Sequence, residues 1–229
     1  MEEGIKMGTK LTSLFKEGEK YQINTKYKEL PIKTNLKLLW IDENMKLLGF
    51  SIGACVFKGA FTPGTEVYIK INGKYAYGKV FSCSNELVIE FKEIRKEPEF
   101  IRRRTVRVEP DPANPVVVEL KVDSYSIKTK AKDISETGVG VILEKDKPES
   151  AEVIDIIQKN PNSWFDLYVH LPKHGTAHAK GRVRNLSIEE EGIYIRIGFE
   201  AEYSKEDREK VRRYVFERQQ EIIKSLKML

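Results

Sequence analysis

Cysteine is scarce in this chain. Cys55 and Cys83 are the only two in 229 residues, they stand far apart in β-like segments, and neither has a Cys-x-x-Cys partner or a neighbouring histidine. A disulfide framework and a zinc motif are therefore excluded, and the pair reads as free buried thiols in a reducing compartment. No apolar run approaches the roughly 18 residues of a membrane span. The opening Met-Glu-Glu-Gly-Ile-Lys is acidic and has no apolar h-region, so no secretory signal is read and a cytoplasmic location is expected. Histidine is rare as well. His170, His174 and His178 recur every four residues, which on a helix would line up three imidazoles like a metal ladder. Pro172 and Gly175 between them demand a strand-turn-strand hairpin instead, which scatters the rings, so no metal site is expected. No Ser/His/Asp set, Cys/His pair or P-loop occurs, and Glu189-Glu190-Glu191 reads as a charged turn. Nothing here prepares a nucleophile or a general base, so a protein without catalytic activity is expected.

What the chain has in quantity is β-forming and charged residues. Hydrophobic residues make up 40% and charged residues 33%, a soluble balance, and the formal net charge of +5 permits an anionic partner without requiring one. The length suits two small domains, each with its own core. Residues 1–19 are polar and glycine-bearing and read as a loose start with one short turn at 11–15. Candidate strands follow at 20–28, 30–42, 46–53, 66–72, 74–83 and 86–94, rich in Ile, Val, Tyr and Phe. Asn72-Gly73 is the clearest hairpin turn, because both residues tolerate the positive φ of a two-residue loop. A run of short antiparallel strands without helical interludes predicts a small barrel over 20–95. Pro98 and its charged neighbours mark a linker over 96–107.

Strands resume at 116–122, 127–134, 139–144, 165–171, 177–186 and 193–200, interrupted after Pro148 by a short helix over 149–159. A terminal helix is expected over 204–227, with Ser204 as its N-cap, acids in its first turn and lysines near its end. Val211, Tyr214, Val215, Ile222, Ile223 and Leu226 form its apolar stripe, expected to pack on the second barrel, with a homodimer contact as the alternative. The fold class is thus mainly β: two small antiparallel barrels, the second spanning 108–229 with the C-terminal helix.

Four arginines crowd Arg102-Arg103-Arg104-Thr105-Val106-Arg107, a density of forked donors that suits paired hydrogen bonds to phosphate and stacking on an aromatic plane. Downstream lies Asp133-Ile134-Ser135-Glu136-Thr137-Gly138. In an extended segment Asp133 and Ser135 point to one face, and Gly138 permits a turn or a close approach of the backbone to a ligand.

The two stretches resemble the signature of the PilZ domain, Arg-x-x-x-Arg followed by Asp/Asn-x-Ser-x-x-Gly. Only Arg103 and Arg107 meet the first spacing, and Asp133, Ser135 and Gly138 meet the second. The resemblance implies a receptor for cyclic di-GMP, with those five residues as ligand contacts and no further cofactor. Arg102 stands just before the motif, where an arginine in PilZ proteins is associated with binding a stacked pair of ligand molecules. Asp133 would accept from guanine N1–H and N2–H₂. Over its whole length the arrangement is similar to the flagellar-brake family, which implies an N-terminal PilZ-associated barrel, a change of domain arrangement on binding and a protein partner such as the flagellar motor. The 149–159 helix departs from the more compact PilZ pattern and reads as an insertion.

The alternative is a nucleic-acid-binding protein built on OB-like barrels, with Tyr75, Tyr77 and Phe81 alternating in one strand as a stacking platform. Core or sheet packing of those rings is the competing expectation. A PilZ-like module without ligand affinity is the third.

Overall fold

The computed structural model describes residues 10–189 and 192–228. Residues 1–9 of the loose start expected over 1–19, and Glu190 and Glu191 of the charged turn, lie outside them. The chain divides into two compact units, one running to Arg104 and including Ile222 onward, the other Thr105–Glu221.

The first unit opens with a single helical turn, α1 (Leu11–Leu14), whose Leu11 is fully buried together with Phe15. Six strands follow: β1 (Lys20–Tyr27), β2 (Leu30–Asp42), β3 (Leu47–Ser51), β4 (Glu66–Ile71), β5 (Lys74–Cys83) and β6 (Glu86–Arg95). They close in the order β1-β2-β3-β6-β5-β4, which leaves no strand edge unpaired. Alternation does the sorting: Ile32, Leu36 and Leu38 of β2 and Val67, Ile69 and Ile71 of β4 turn inward. Asn72 and Gly73 make the β4–β5 turn with φ of 43° and 76°, as their side chains predict.

Tyr68 alternates with Val67 and Ile69 and so lies on the opposite face, where it is paired in register with Tyr77. Those two rings and Tyr75 are roofed by Phe100 of α2 (Glu99–Arg102), with the Phe100 and Tyr68 rings edge to face at 5.6 Å. Two of the three rings proposed as a stacking platform are therefore packing residues. The third, Phe81, is 59% exposed.

The second unit contains β7 (Arg107–Val108), β8 (Val117–Val122), β9 (Tyr125–Ser135), β10 (Gly138–Glu144), α3 (Pro148–Lys159), β11 (Trp164–Leu171), β12 (Gly175–Glu189), β13 (Tyr194–Tyr203) and, as far as Glu221, the terminal helix α4 (Lys205–Lys227). Strands β9-β10-β13-β12-β11-β8 close a second antiparallel barrel, and β7 adds to β9. Helix α3 carries proline in its first turn and buries Val153, Ile154 and Ile157. Helix α4 is capped as expected, the Asp207 backbone N–H donating to Ser204 Oγ at 3.1 Å. Its stripe buries Val211, Tyr214, Val215, Ile222 and Leu226. Arg218 is buried with them, a residue the apolar pattern did not suggest; its Nε donates to the Glu109 carbonyl at 3.0 Å, which satisfies part of its charge-bearing head.

Candidate functional site

The arginine segment is not a featureless linker at its start. Pro98 precedes α2, and Phe100 pins that helical turn to the tyrosine cluster, so the backbone of residues 99–102 is held. Arg102 ends the turn and is exposed, as is Arg104. Arg103 points back to its own unit: one terminal N–H donates to Glu29 Oε2 at 3.0 Å, and its Nε lies 3.7 Å from Glu99 Oε1. That Nε is buried and has no hydrogen-bond partner among the described residues. Burial of Glu29 raises its carboxyl pKa, but hydrogen bonds and charge from Lys26 and Arg103 outweigh it and hold the group below the ordinary 4.5.

Arg107 belongs to the second unit and is placed by strand pairing. In β7 it stands opposite Ser135 of β9, with Val108 opposite Ile134. On its other edge the same end of β9 faces β10, where Ser135 meets Gly138 and Asp133 meets Gly140. The next pair is Val141 with Ala131, so Lys132 is an extra residue in β9. This bulge matters for the side chains. Ile127 and Ala131 face the core, and unbroken alternation would send Asp133 inward with them; the additional residue reverses the phase, so that Ile134 enters the core while Asp133 and Ser135 face outward together.

Facing outward does not leave Asp133 exposed. It is only 1% accessible, because Arg107 and Arg196 close over it. Arg107 Nε lies 3.2 Å from Oδ1, and a terminal N–H of Arg196, from β13, donates to Oδ2. Gly140 provides the floor: a Cβ there would stand 2.6 Å from Oδ2. Ser135 Oγ donates to the Gly138 carbonyl at 3.3 Å, tying the ends of the β9–β10 hairpin, and Thr105 and Thr137 hydroxyls meet at 3.0 Å beside it. Gly138 has no positive φ; what it permits is a close approach of β13, since a Cβ would come within 2.5 Å of the Phe199 carbonyl oxygen.

The structure thus brings Arg107, Asp133, Ser135 and Gly138 to one corner of the second barrel, while Arg103 is engaged within the first unit. Three participants escaped sequence reasoning. Arg196 is one charge in an alternating strand, Gly140 follows a glycine already taken by the motif, and Glu29 sits in a turn. Only the Gly-x-Gly of 138–140 carried a signal, in the form of two strand residues without side chains. Chemically the corner is an anion-receptive surface: guanidiniums preset by a buried carboxylate keep N–H groups in a fixed plane.

The three histidines take separate partners. His170 Nδ1 meets Thr176 Oγ1 at 2.9 Å, His174 Nε2 meets Glu217 at 3.0 Å and His178 Nε2 meets Asp166 at 2.7 Å. Among the described residues no group of three or more His, Cys, Asp or Glu could hold a metal ion, and no helix is long and apolar enough to cross a membrane.

A family model described as the PilZ domain matches residues 101–217. An uncharacterized protein of Aquifex aeolicus (strain VF5) is 30% identical over 202 residues, covering 87% of this chain and 94% of its own. Among solved structures, K. pneumonia MrkH in complex with c-di-GMP aligns over 90% of each chain at 10% identity and a TM-score of 0.51, a likeness of fold alone. The Bacillus subtilis inhibitor of motility MotI/DgrA aligns over 90% of this chain and 99% of its own at 16% identity and a TM-score of 0.43.

Proposed function

The chain belongs to the PilZ domain family, and from that premise we propose that it is a cytoplasmic receptor for cyclic di-GMP that acts by binding, without catalysis. The observation that carries this reading is the meeting of Arg107, Asp133 and Ser135 at the corner of β7, β9 and β10. Two phosphates and two guanines call for cations that can also stack, and arginine meets both needs. MrkH, which shares the fold, is described as a complex with this ligand.

Arg103, Arg107, Asp133, Ser135 and Gly138 are the proposed ligand residues, and Arg102, which is exposed, is the proposed contact for a second, stacked ligand molecule. Asp133 acts first by orienting Arg107 and Arg196, since both its oxygens face guanidiniums; reading a guanine edge requires one of them to yield. A ligand that takes both Arg103 and Arg107 draws on residues of different units, and a change of domain arrangement is the proposed response to its binding. The flagellar-brake resemblance supports a motility-related partner such as the flagellar motor. The oligonucleotide alternative loses support from the burial of Tyr75 and Tyr77 beneath Phe100.

Calorimetric titration of the full chain with cyclic di-GMP, GTP and a short single-stranded oligonucleotide tests the reading. Saturable binding of the cyclic dinucleotide alone is expected, weakened about 10- to 100-fold in Arg107→Ala through loss of charge-assisted hydrogen bonds. Heat only from the oligonucleotide, falling steeply with salt, would move the arginines to nucleic-acid recognition.

A further inference from the structure

Two hairpins of the first barrel are built alike from unlike residues. Both have two-residue loops with positive φ at both positions, 43° and 76° at Asn72-Gly73 and 49° and 63° at Lys28-Glu29. Asparagine and glycine adopt that conformation readily; lysine and glutamate do so against a steric penalty. Strain of this kind persists where the surroundings require it, and the surroundings of Glu29 supply a reason. Its two oxygens are separately engaged, Oε1 by Lys26 Nζ at 2.6 Å and Oε2 by Arg103 at 3.0 Å. The turn delivers a carboxylate to the one motif arginine that lies in the first unit.

Arg103 is held there incompletely. Its side chain is 19% exposed, Glu99 approaches at 3.7 Å by charge alone, and its buried Nε donates to nothing. Such a guanidinium is paired but unsaturated, so a phosphate offering two oxygens in its plane would satisfy more of its donors than Glu29 does. The same residue borders a cleft of about 600 Å³ on the first barrel, lined also by Lys26, Arg95 and Lys96, so its partner is exchangeable and not walled in.

We propose that Glu29 is a positioning residue that sets the threshold for ligand: it holds Arg103 against the first barrel, and the phosphate of the ligand must displace it. The proposal rests on the cyclic di-GMP reading. It concerns the sign of an effect that damage to a binding site cannot imitate, because removing the competing anion strengthens binding.

The test is titration of the full chain and its variants with cyclic di-GMP. Glu29→Gln preserves the shape and removes the charge, and an affinity gain of roughly tenfold is expected from the released charge-assisted bond. The double variant Lys28→Asn/Glu29→Gly, which gives the turn its preferred residues, guards against misfolding and should show a gain of similar size. In an Arg103→Ala background neither change should alter affinity, since the competitor then has nothing to hold. Unchanged or weaker binding in both Glu29 variants, with the parent chain binding normally, overturns the inference and leaves the receptor reading intact. Absence of binding in the parent but saturable binding in Glu29→Gln would support the lock in its strongest form. Absence in every variant would sink the receptor reading and this inference with it.

Discussion

The two barrels close from six antiparallel strands each, yet they bury different polar groups. The first hides Asn24 and Thr25, which are satisfied by backbone carbonyls: Asn24 donates to Tyr68 at 3.1 Å and Thr25 to Glu66 at 2.7 Å. These are neutral groups spent on the scaffold. The second hides a carboxylate, Asp133, between two guanidiniums. Burying an ion costs far more than burying an amide and leaves severe penalties if either partner is lost, so Asp133 is buried at a cost that the neutral groups of the first barrel avoid. Closure needs only alternation and register; the site needs a charge that closure alone would never call for.

Asp133→Ala should break this contrast most severely. Leaving Arg107 and Arg196 without their common anion is expected to cost about 3–5 kcal/mol in the second barrel, read as a lower midpoint of its transition in denaturant while that of the first barrel stays in place. Equal loss in both transitions would show the two units unfolding as one.

A pair of glycine substitutions sharpens the comparison at a smaller scale. Gly140→Ala sets a Cβ 2.6 Å from Asp133 Oδ2 and should cost about 1–3 kcal/mol as the carboxylate is pushed from its partners. Gly53→Ala in the first unit meets nothing within 4 Å and should stay within about 0.5 kcal/mol of the parent. Thermal melts of the two variants, with ligand titration of Gly140→Ala, decide it: a silent Gly140→Ala would mean that Asp133 does not need its floor.

The smallest expected effect is one of pH. Glu29 is depressed below 4.5 in the folded chain, burial opposing and its cationic partners prevailing. The stability it contributes is therefore present above the ordinary carboxylate value and is lost as pH falls through the depressed one. Glu29→Gln should flatten that acid limb of the first unit's stability curve, and an unchanged limb would assign the acid sensitivity to other carboxylates.

Much of the fold was legible in the residues. The strands over 30–42 and 74–83 coincide with β2 and β5, because β-branched and aromatic residues between turn formers leave few alternatives to extended chain. Helix α3 begins one residue before the expected 149, with proline inside its first turn. β12 extends past the expected 177–186 to Gly175–Glu189, the register shifting between Val183 and Asn185, and nothing local announces such a bulge. The site was half legible. Arg103, Arg107, Asp133 and Ser135 stood out because together they match the spacing of the PilZ signature, whereas Arg196 and Glu29 are common charges whose partners Asp133 and Arg103 are remote in sequence.

By itself, then, the sequence determined which segments extend, where Asn72-Gly73 turns, and which residue types are available to meet a phosphate, since these depend on local conformational preference and side-chain chemistry. Only the tertiary structure decided that Asp133 turns outward at the Lys132 bulge, that Arg196 shares its carboxylate with Arg107, and that Arg103 is held by Glu29 in the first unit. The reason is that register and ion pairing are settled between strands, where a shift of a single residue exchanges one face of a sheet for the other.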